Sequence, residues 1–407
     1  MYELTIRWFK ITYKKIITSI AFLPAIIALL FLLLSYSMIS FDFSPTGKNI
    51  KANLHWLSLK DASTARSICS VIAGGVISLA VFSFSMVMIL LNQAASQMSN
   101  RILGKLISNR FQQVVLGFYI GTIVYALFLL STIRDINTGI YVPAITTYLL
   151  ILLTIADIFL FIYFLHYITE AIKYETIIYK IYDTTKDEIT KRCVLKENPL
   201  INAKAEFQKE IAAHKSGLFQ GFEKDSLIAL CKKNDATVSF LHPVGTYLLE
   251  GTPLLTVSAK ENLAEDFEER LQVSVNIHRG QDIETSYYYG FRQLMEIAVK
   301  ALSPGINDPG TAVISLHALG DLLSYKLLRY AEIYLKDKEN VVRVFVKEKT
   351  FEEIFNECML PIWDYGKNDR LVQLAMQNIL TQLKNKSPDF AINNLLLSVQ
   401  SSAVKNN

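Results

Sequence analysis

The chain has 407 residues, 51% of them hydrophobic, with a mean hydropathy of +0.29, which is too apolar for an ordinary soluble protein; at roughly 150 residues per domain the length predicts two to three domains. Its 41 Lys and Arg against 37 Asp and Glu give a net charge of +4, excluding a strongly basic nucleic-acid binder or an acidic disordered tail as the main theme. The charges are unevenly placed, with only 8 basic and 5 acidic residues between Ile16 and Glu170, so one part suits lipid and the rest suits water.

Four apolar stretches, Ile16–Ile39, Ser67–Leu91, Phe111–Ile133 and Tyr141–Ile168, meet the roughly 20 residues needed to cross a hydrocarbon layer about 30 Å thick. The first follows Arg7, Lys10, Lys14 and Lys15, but it is too long for a signal peptide and lacks a small-residue cleavage pattern, so it reads as a retained helix. Basic residues flank the spans in the amino-terminal arm, at Arg101, Lys105 and Arg110, and at Lys173, Lys180 and Lys186. They outnumber Lys48, Lys51, Lys60, Arg66 and Arg134 on the other side, which predicts that both termini and the soluble half are cytoplasmic. Cys69, Cys193, Cys231 and Cys358 form no CxxC pair, and they read as reduced thiols rather than a metal site or disulfide framework.

In the second span Ser78, Ser85, Asn92 and Ser99 recur every seven residues, and Ser70, Gly74 and Ser78 form a ladder at i, i+4. This face is expected to avoid lipid, either as a helix-packing seam or as the lining of a hydrated path. The fourth span carries Asp157, about 20 Å past Pro143 at 1.5 Å per residue. A carboxylate there predicts an inward-facing position, serving as a hydrogen-bond hub or an ion or proton site, with Thr146 and Thr154 near its face. Tyr163, His166, Glu170 and Lys173 follow helical spacing at the cytoplasmic exit, where a His and Glu pair reads as an interfacial anchor or a gate.

The remaining chain is polar. Residues 174–234 read as a helical connector, with a break at Ser216–Gly221. Residues 235–282 read as a small β unit with strands at Thr237–Leu241, Thr246–Leu249, Leu254–Val257 and Gln272–Ile277. Neither tight turn offers a lysine, which excludes a swinging-arm domain. Residues 283–407 read as a helical domain with one strand: helices over Ile283–Ala301, Pro309–Tyr330, Thr350–Asp364, Asp369–Leu383 and Asp389–Val399, and a strand at Val341–Lys347. Between the first two helices, Ser303, Gly305, Asn307, Asp308 and Thr311 sit in a segment with Asp308 as N-cap and Pro309 at N1. It reads as a tight corner or as a small anion or polar-ligand site at the helix N-terminus, although Asp308 would repel an anion. His317 and Asp321 at i, i+4 resemble a base and its orienter, without a nucleophile beside them.

Several motifs resemble those of the bacterial membrane-protein family called domain of unknown function 2254. They are Ala65-Arg66-Ser67-Ile68, Phe82-Ser83-Phe84-Ser85, the run from Gln93 to Arg101, Val115-Leu116-Gly117, the run from Ile162 to Ile168, Gly251-Thr252-Pro253-Leu254, and the run from Ile297 to Pro309. The chain departs from the family pattern at Asn100, where Pro is usual, and at Tyr167, where a second His is common. The resemblance implies four spans and a cytoplasmic domain and transfers no reaction. The sequence therefore predicts an integral membrane α-helical protein, its four transmembrane helices within residues 1–173, with a C-terminal cytoplasmic α+β domain containing a small β unit. The leading expectation is a homo-oligomeric inner-membrane channel or transport protein with a path lined by spans two and four; the runner-up is a membrane-anchored sensor or scaffold using the Ser303–Thr311 loop. No enzyme activity, cofactor, metal or nucleic acid is expected, and the expected partners are the lipid bilayer, further copies of the chain, and ions or a small ligand.

Overall fold

A computed structural model describes residues 21–53, 59, 61–97, 110–136, 139–171, 173–194, 208–259, 266–278, 283, 285–387 and 389–405. The chain divides into two compact units between Lys173 and Tyr174. Four helices of the first unit are long and apolar enough to cross a membrane: α1 (Phe22–Phe43), α3 (Ala62–Gln97, apolar through Ile89), α4 (Arg110–Thr132) and α5 (Ala144–Ala171). A short α2 (Pro45–Asn53) follows α1, and β1 (Arg134–Ile136) pairs antiparallel with β2 (Gly139–Tyr141) between α4 and α5.

The most extensive helix pairing in this unit is α1 against α4. It depends on Gly117 and Gly121, four residues apart, because a Cβ at these positions would lie 2.6 Å from Ile27 Cδ1 and 2.7 Å from the Phe31 ring. Removing side chains at i and i+4 lets two backbones approach closely, which is how helices associate where burial of apolar surface supplies little drive. Helix α3 adds a second small-residue face, with Ala62, Ala65, Cys69 and Ala73 packed with Tyr125, Ala126 and Leu129 of α4 and Leu150 of α5. Helix α1 runs past the expected end at Ile39 and carries Asp42 into a fully buried position. That is tolerated because the Asp42 carboxylate is saturated: it accepts from Lys51 Nζ at 2.7 Å and from the Thr146 N–H and hydroxyl at 2.9 Å each.

The second unit starts with α6 (Tyr174–Arg192) and continues through two sheets. One has the order β3 (Gln208–Ala212), β7 (Pro253–Ala259), β5 (Ala236–Phe240), β10 (Val342–Phe345), β9 (Tyr334–Lys336). The other has the order β6 (Tyr247–Leu248), β4 (Gly217–Phe222), β8 (Val275–His278). All pairings are antiparallel except β5 with β10. The inner faces share one core, in which the Phe240 ring stacks on Phe219 at 5.1 Å and Phe222 at 4.7 Å.

The β structure is therefore larger than the expected 235–282 unit and takes in part of the expected helical connector. β3 reads as helical because Gln208-Lys209-Glu210 is polar, but it is an edge strand, where charges are at home and guard against further pairing. The Gly217–Gly221 stretch is not a break but the central strand β4. Its Gly221, at φ +97°, lies where the register with β8 shifts between Phe219 and Phe222, a bulge position that favours glycine. The expected strand from Gln272 begins as helix α8 (Phe267–Ser274), whose buried Phe267, Leu271 and Ser274 follow helical spacing, and turns into β8 only at Val275.

The helices α9 (Tyr288–Ala301), α10 (Pro309–Lys326), α11 (Phe351–Gly366), α12 (Arg370–Lys386) and α13 (Phe390–Lys405) pack on one another, with α9 and α10 also against α6, while α7 (Lys224–Lys233) lies on β5 and β10. At Gly290 a Cβ would fall 1.7 Å from Thr185 Oγ1, so glycine sets the close approach of α9 to α6. Thr350 and Glu353 form a capping box at the start of α11, where the sequence places that helix.

Candidate functional site

The candidate site lies inside the four-helix unit, where α3, α4 and α5 each contribute a polar side chain to a buried position. Asp157 on α5 is fully buried, and neither carboxylate oxygen has a hydrogen-bond partner. The Thr122 hydroxyl of α4 stands beside it. One turn earlier on α4 is Tyr119, fully buried with an unpartnered phenol, and the likewise unpartnered Ser83 hydroxyl of α3 stands beside it. Glycines 117 and 121 explain this placement: they turn one face of α4 onto α1, which directs Tyr119 and Thr122 toward α3 and α5.

An apolar cavity of about 90 Å3 adjoins the cluster, with Ser83 and Tyr119 on its wall, Phe84, Met88 and Phe164 around it, and Gln112 and Gln113 near the start of α4. A buried carboxylate without a partner is costly, about 2.5–3.5 kcal/mol at the centre of a span on insertion scales. Chemically the arrangement offers four hard oxygen groups and one negative charge, without nitrogen, sulfur or a nucleophile poised for covalent chemistry.

The residues singled out in the sequence are distributed differently. Asp157 faces inward as its position predicts, but the expected neighbours are engaged elsewhere. Thr154 donates to the Leu150 carbonyl at 2.8 Å, and Thr146 binds Asp42. Ser78, Ser85 and Asn92 are exposed on α3, as are Ser70 and Gly74, on the side away from its Ala62–Ala73 packing face. The structure thus does not bring the heptad face together with Asp157, and the Ser78 hydroxyl donates to the Gly74 carbonyl of its own helix at 3.0 Å. Ser99 lies outside the described residues. His166 is exposed, and Glu170 pairs with Lys173.

In the second unit the Ser303–Thr311 segment is a corner whose polar groups bind one another. Ser303 donates to the Lys300 carbonyl at 2.6 Å, and Asp308 accepts from the Thr311 N–H at 3.1 Å and its hydroxyl at 2.6 Å. Asn307 takes φ +49°, a left-handed conformation, while Gly305 sits in open space. Asp308 therefore occupies the helix N-terminus that an anion would need. His317 is exposed, and Asp321 accepts from Tyr182 and pairs with Lys186 at 3.4 Å, which fastens α10 to α6.

A cavity of the second unit went unnoticed in sequence. It measures about 430 Å3 and is lined in part by Lys191, Arg192, Lys224, Glu332 and Glu348. Glu348 accepts from the Tyr287 hydroxyl at 3.2 Å, and burial pushes its carboxyl above the ordinary value while raising Tyr287 well above its own. No local motif announces this site because its residues come from α6, the β4–α7 turn and the segments on either side of β9 and β10. The Ser83, Tyr119 and Thr122 hydroxyls were missed for a related reason: each reads as an ordinary residue of an apolar span, and only Asp157 stands out by charge.

The profile of a family described as "Predicted membrane protein (DUF2254)" matches residues 17–382. Two curated relatives, uncharacterized protein Mb1321c of Mycobacterium bovis and uncharacterized protein Rv1290c of Mycobacterium tuberculosis, are each 25% identical over 341 residues. A third, uncharacterized protein MT1328 of Mycobacterium tuberculosis, is 24% identical. The match covers 80% of this chain but only 64% of each of these relatives. No solved structure matches the chain. The family profile spans all four apolar helices and most of the C-terminal unit, and the chain belongs to the DUF2254 family of predicted membrane proteins.

Proposed function

We propose that the protein is a homo-oligomeric transport protein of a bacterial inner membrane in which Asp157 is the ion-handling group. The observation that carries this reading is the fully buried Asp157 carboxylate without a hydrogen-bond partner, grouped with three hydroxyls in the same condition. A residue kept only for structure would be expected to resemble Asp42, whose carboxylate is saturated by Lys51 and Thr146. An intramembrane ionisable group without such partners is, by default, a candidate for an ion or proton path.

In this reading the exposed small and polar face of α3, with Ser78, Ser85 and Asn92, meets a second copy, since such faces suit helix contacts in lipid. The excess of Lys and Arg flanking one side of the spans supports cytoplasmic termini and a cytoplasmic C-terminal unit that serves as assembly platform. The protein moves a solute and makes no covalent bond. Ion flux into liposomes holding purified wild type or Asp157→Asn protein tests the proposal: flux lost or altered in the variant with assembly intact supports it, and no wild-type flux under varied voltage and pH overturns it. A native-size measurement in mild detergent that finds a monomer removes the oligomeric part.

A second reading, a membrane-anchored sensor, is favoured by the roughly 430 Å3 cavity of the C-terminal unit, whose wall carries both cationic and acidic side chains. It moves the ligand site from the Ser303–Thr311 corner to this cavity. A thermal-shift screen with small charged metabolites, repeated on Arg192→Ala, separates it from the transport reading.

A further inference from the structure

Hydroxyls buried in the four-helix unit ordinarily have partners. Thr147 donates to the Pro143 carbonyl one turn back at 2.9 Å, Thr146 binds Asp42, and the Tyr125 hydroxyl donates to the Thr146 carbonyl at 3.2 Å. Among the described residues of this unit, the buried polar side-chain atoms without a partner belong to just four residues, and these are neighbours: Ser83, Tyr119, Thr122 and Asp157. Unmet hydrogen-bonding capacity confined to one place, and including a carboxylate, points to an occupant. Burial without one would leave every group in the cluster desolvated, with no polar partner beyond the cluster itself.

We propose that Ser83, Tyr119, Thr122 and Asp157 bind one alkali-metal cation, with sodium as the representative ion. This rests on the reading of Asp157 as the ion-handling group and names what it handles. Charge selects the valence: the cluster holds one carboxylate, and among the described residues no Lys or Arg interacts with it, so a monovalent cation neutralises the site. A divalent ion would leave an uncompensated positive charge in a low-dielectric surrounding. Ligand type selects the hard ion class, since all the donor atoms are carboxylate, hydroxyl or phenol oxygens rather than the imidazole or thiolate that favour transition metals.

Three helices supply the ligands, so the occupant ties α3, α4 and α5 together. The apolar cavity of about 90 Å3 reaches the cluster at Ser83 and Tyr119, while Thr122 and Asp157 lie off its wall.

The experiment uses the full-length protein in detergent, with sodium, potassium or lithium chloride exchanged against choline chloride at constant ionic strength. Binding is read by thermal shift and by radioactive sodium retained on the protein. The expected result is a saturable rise in melting temperature with an alkali ion over choline, absent in Asp157→Asn. Thr122→Val and Ser83→Ala should each weaken binding about tenfold, the equivalent of one lost contact to a charged group. These two variants keep the test valid should Asp157→Asn fail to fold, as size exclusion would reveal. Identical melting in all the salts overturns the assignment, as does sodium retained undiminished by Asp157→Asn. A melting temperature that follows pH but no alkali ion also overturns it and places a proton on Asp157. Ion binding without flux would sink the transport reading and leave the site standing, whereas flux without ion binding would do the reverse.

Discussion

The Asp42 carboxylate at the end of α1 accepts both the backbone N–H and the hydroxyl of Thr146, each at 2.9 Å, and so caps α5 from another helix 104 residues away. Lys51 closes the arrangement by donating to the same carboxylate at 2.7 Å and to the Asp42 carbonyl at 2.8 Å. A buried acid thereby provides the first turn of α5 with an acceptor and a negative charge where the helix dipole favours one.

Replacing Asp42 by Ala removes the cap and the Lys51 ion pair, leaving Lys51 its bond to the backbone carbonyl of residue 42. The expected loss is about 2.5–5 kcal/mol, from a cap of about 1–2 kcal/mol and a charge-assisted bond of about 1.5–3 kcal/mol. Asp42→Asn, which still accepts from Thr146, should lose less. Thermal unfolding of the two variants in one detergent checks the order, and equal losses would refute the capping role.

Gly117 and Gly121 set the contact of α4 with α1. Gly121→Val should destabilise the bundle by about 1–3 kcal/mol through overpacking against Phe31. Exposed Gly74 has nothing within 4 Å of its would-be Cβ, so Gly74→Ala should leave the monomer's stability unchanged. If the α3 face meets another copy, Gly74→Leu should instead lower the oligomer's stability in a native-size assay, and an unaltered oligomer would show that the face is not the seam.

Asp157→Leu is expected to raise stability by about 2–3 kcal/mol in sodium-free buffer, because it removes an unpartnered carboxylate from the interior of the unit. It should abolish flux at the same time. Such opposed changes are the mark of a group retained for function at the expense of stability; a destabilised Leu variant would make Asp157 a structural element.

Glu348 in the C-terminal unit gives a pH dependence of defined sign. Burial raises its folded-state pKa above the ordinary 4.5, although the Tyr287 hydroxyl opposes the shift. The native state then holds the proton more tightly than the unfolded chain, so this group's stabilising contribution is complete below about 4.5 and is lost as pH rises through the raised value. Glu348→Gln, which keeps an acceptor for Tyr287, should melt higher than wild type at neutral pH, with the advantage fading toward pH 4.5. A difference independent of pH would reject the titration.

Asp308→Ala should lower stability by about 1–2 kcal/mol through loss of the α10 cap, whereas Asn307→Gly should be nearly neutral because glycine adopts φ +49° freely. Unfolding of both variants, compared with binding to the 430 Å3 cavity, separates corner geometry from ligand recognition.

The sequence by itself determined the four apolar helices, the helices from α9 onward and the strands β5, β6, β7 and β10, because these follow from run length, period and caps within each segment. Thr350 with Glu353, and Asp308 with Pro309, are local signals read without any knowledge of the fold. The spacing of Gly117 and Gly121 was equally local and would have marked the α1–α4 seam. Asp157 apart, only the tertiary structure decided which polar residues of the spans face inward. On α3 the heptad of Ser78, Ser85 and Asn92 looks like the special face, yet it is exposed, and the single Ser83 on the opposite side is buried beside Tyr119. Periodicity shows that residues share a face but not what that face meets. Asp42 and Asp157 carry the same side chain near membrane-spanning segments, and only the neighbours drawn from other helices make one a saturated cap and leave the other open to an ion.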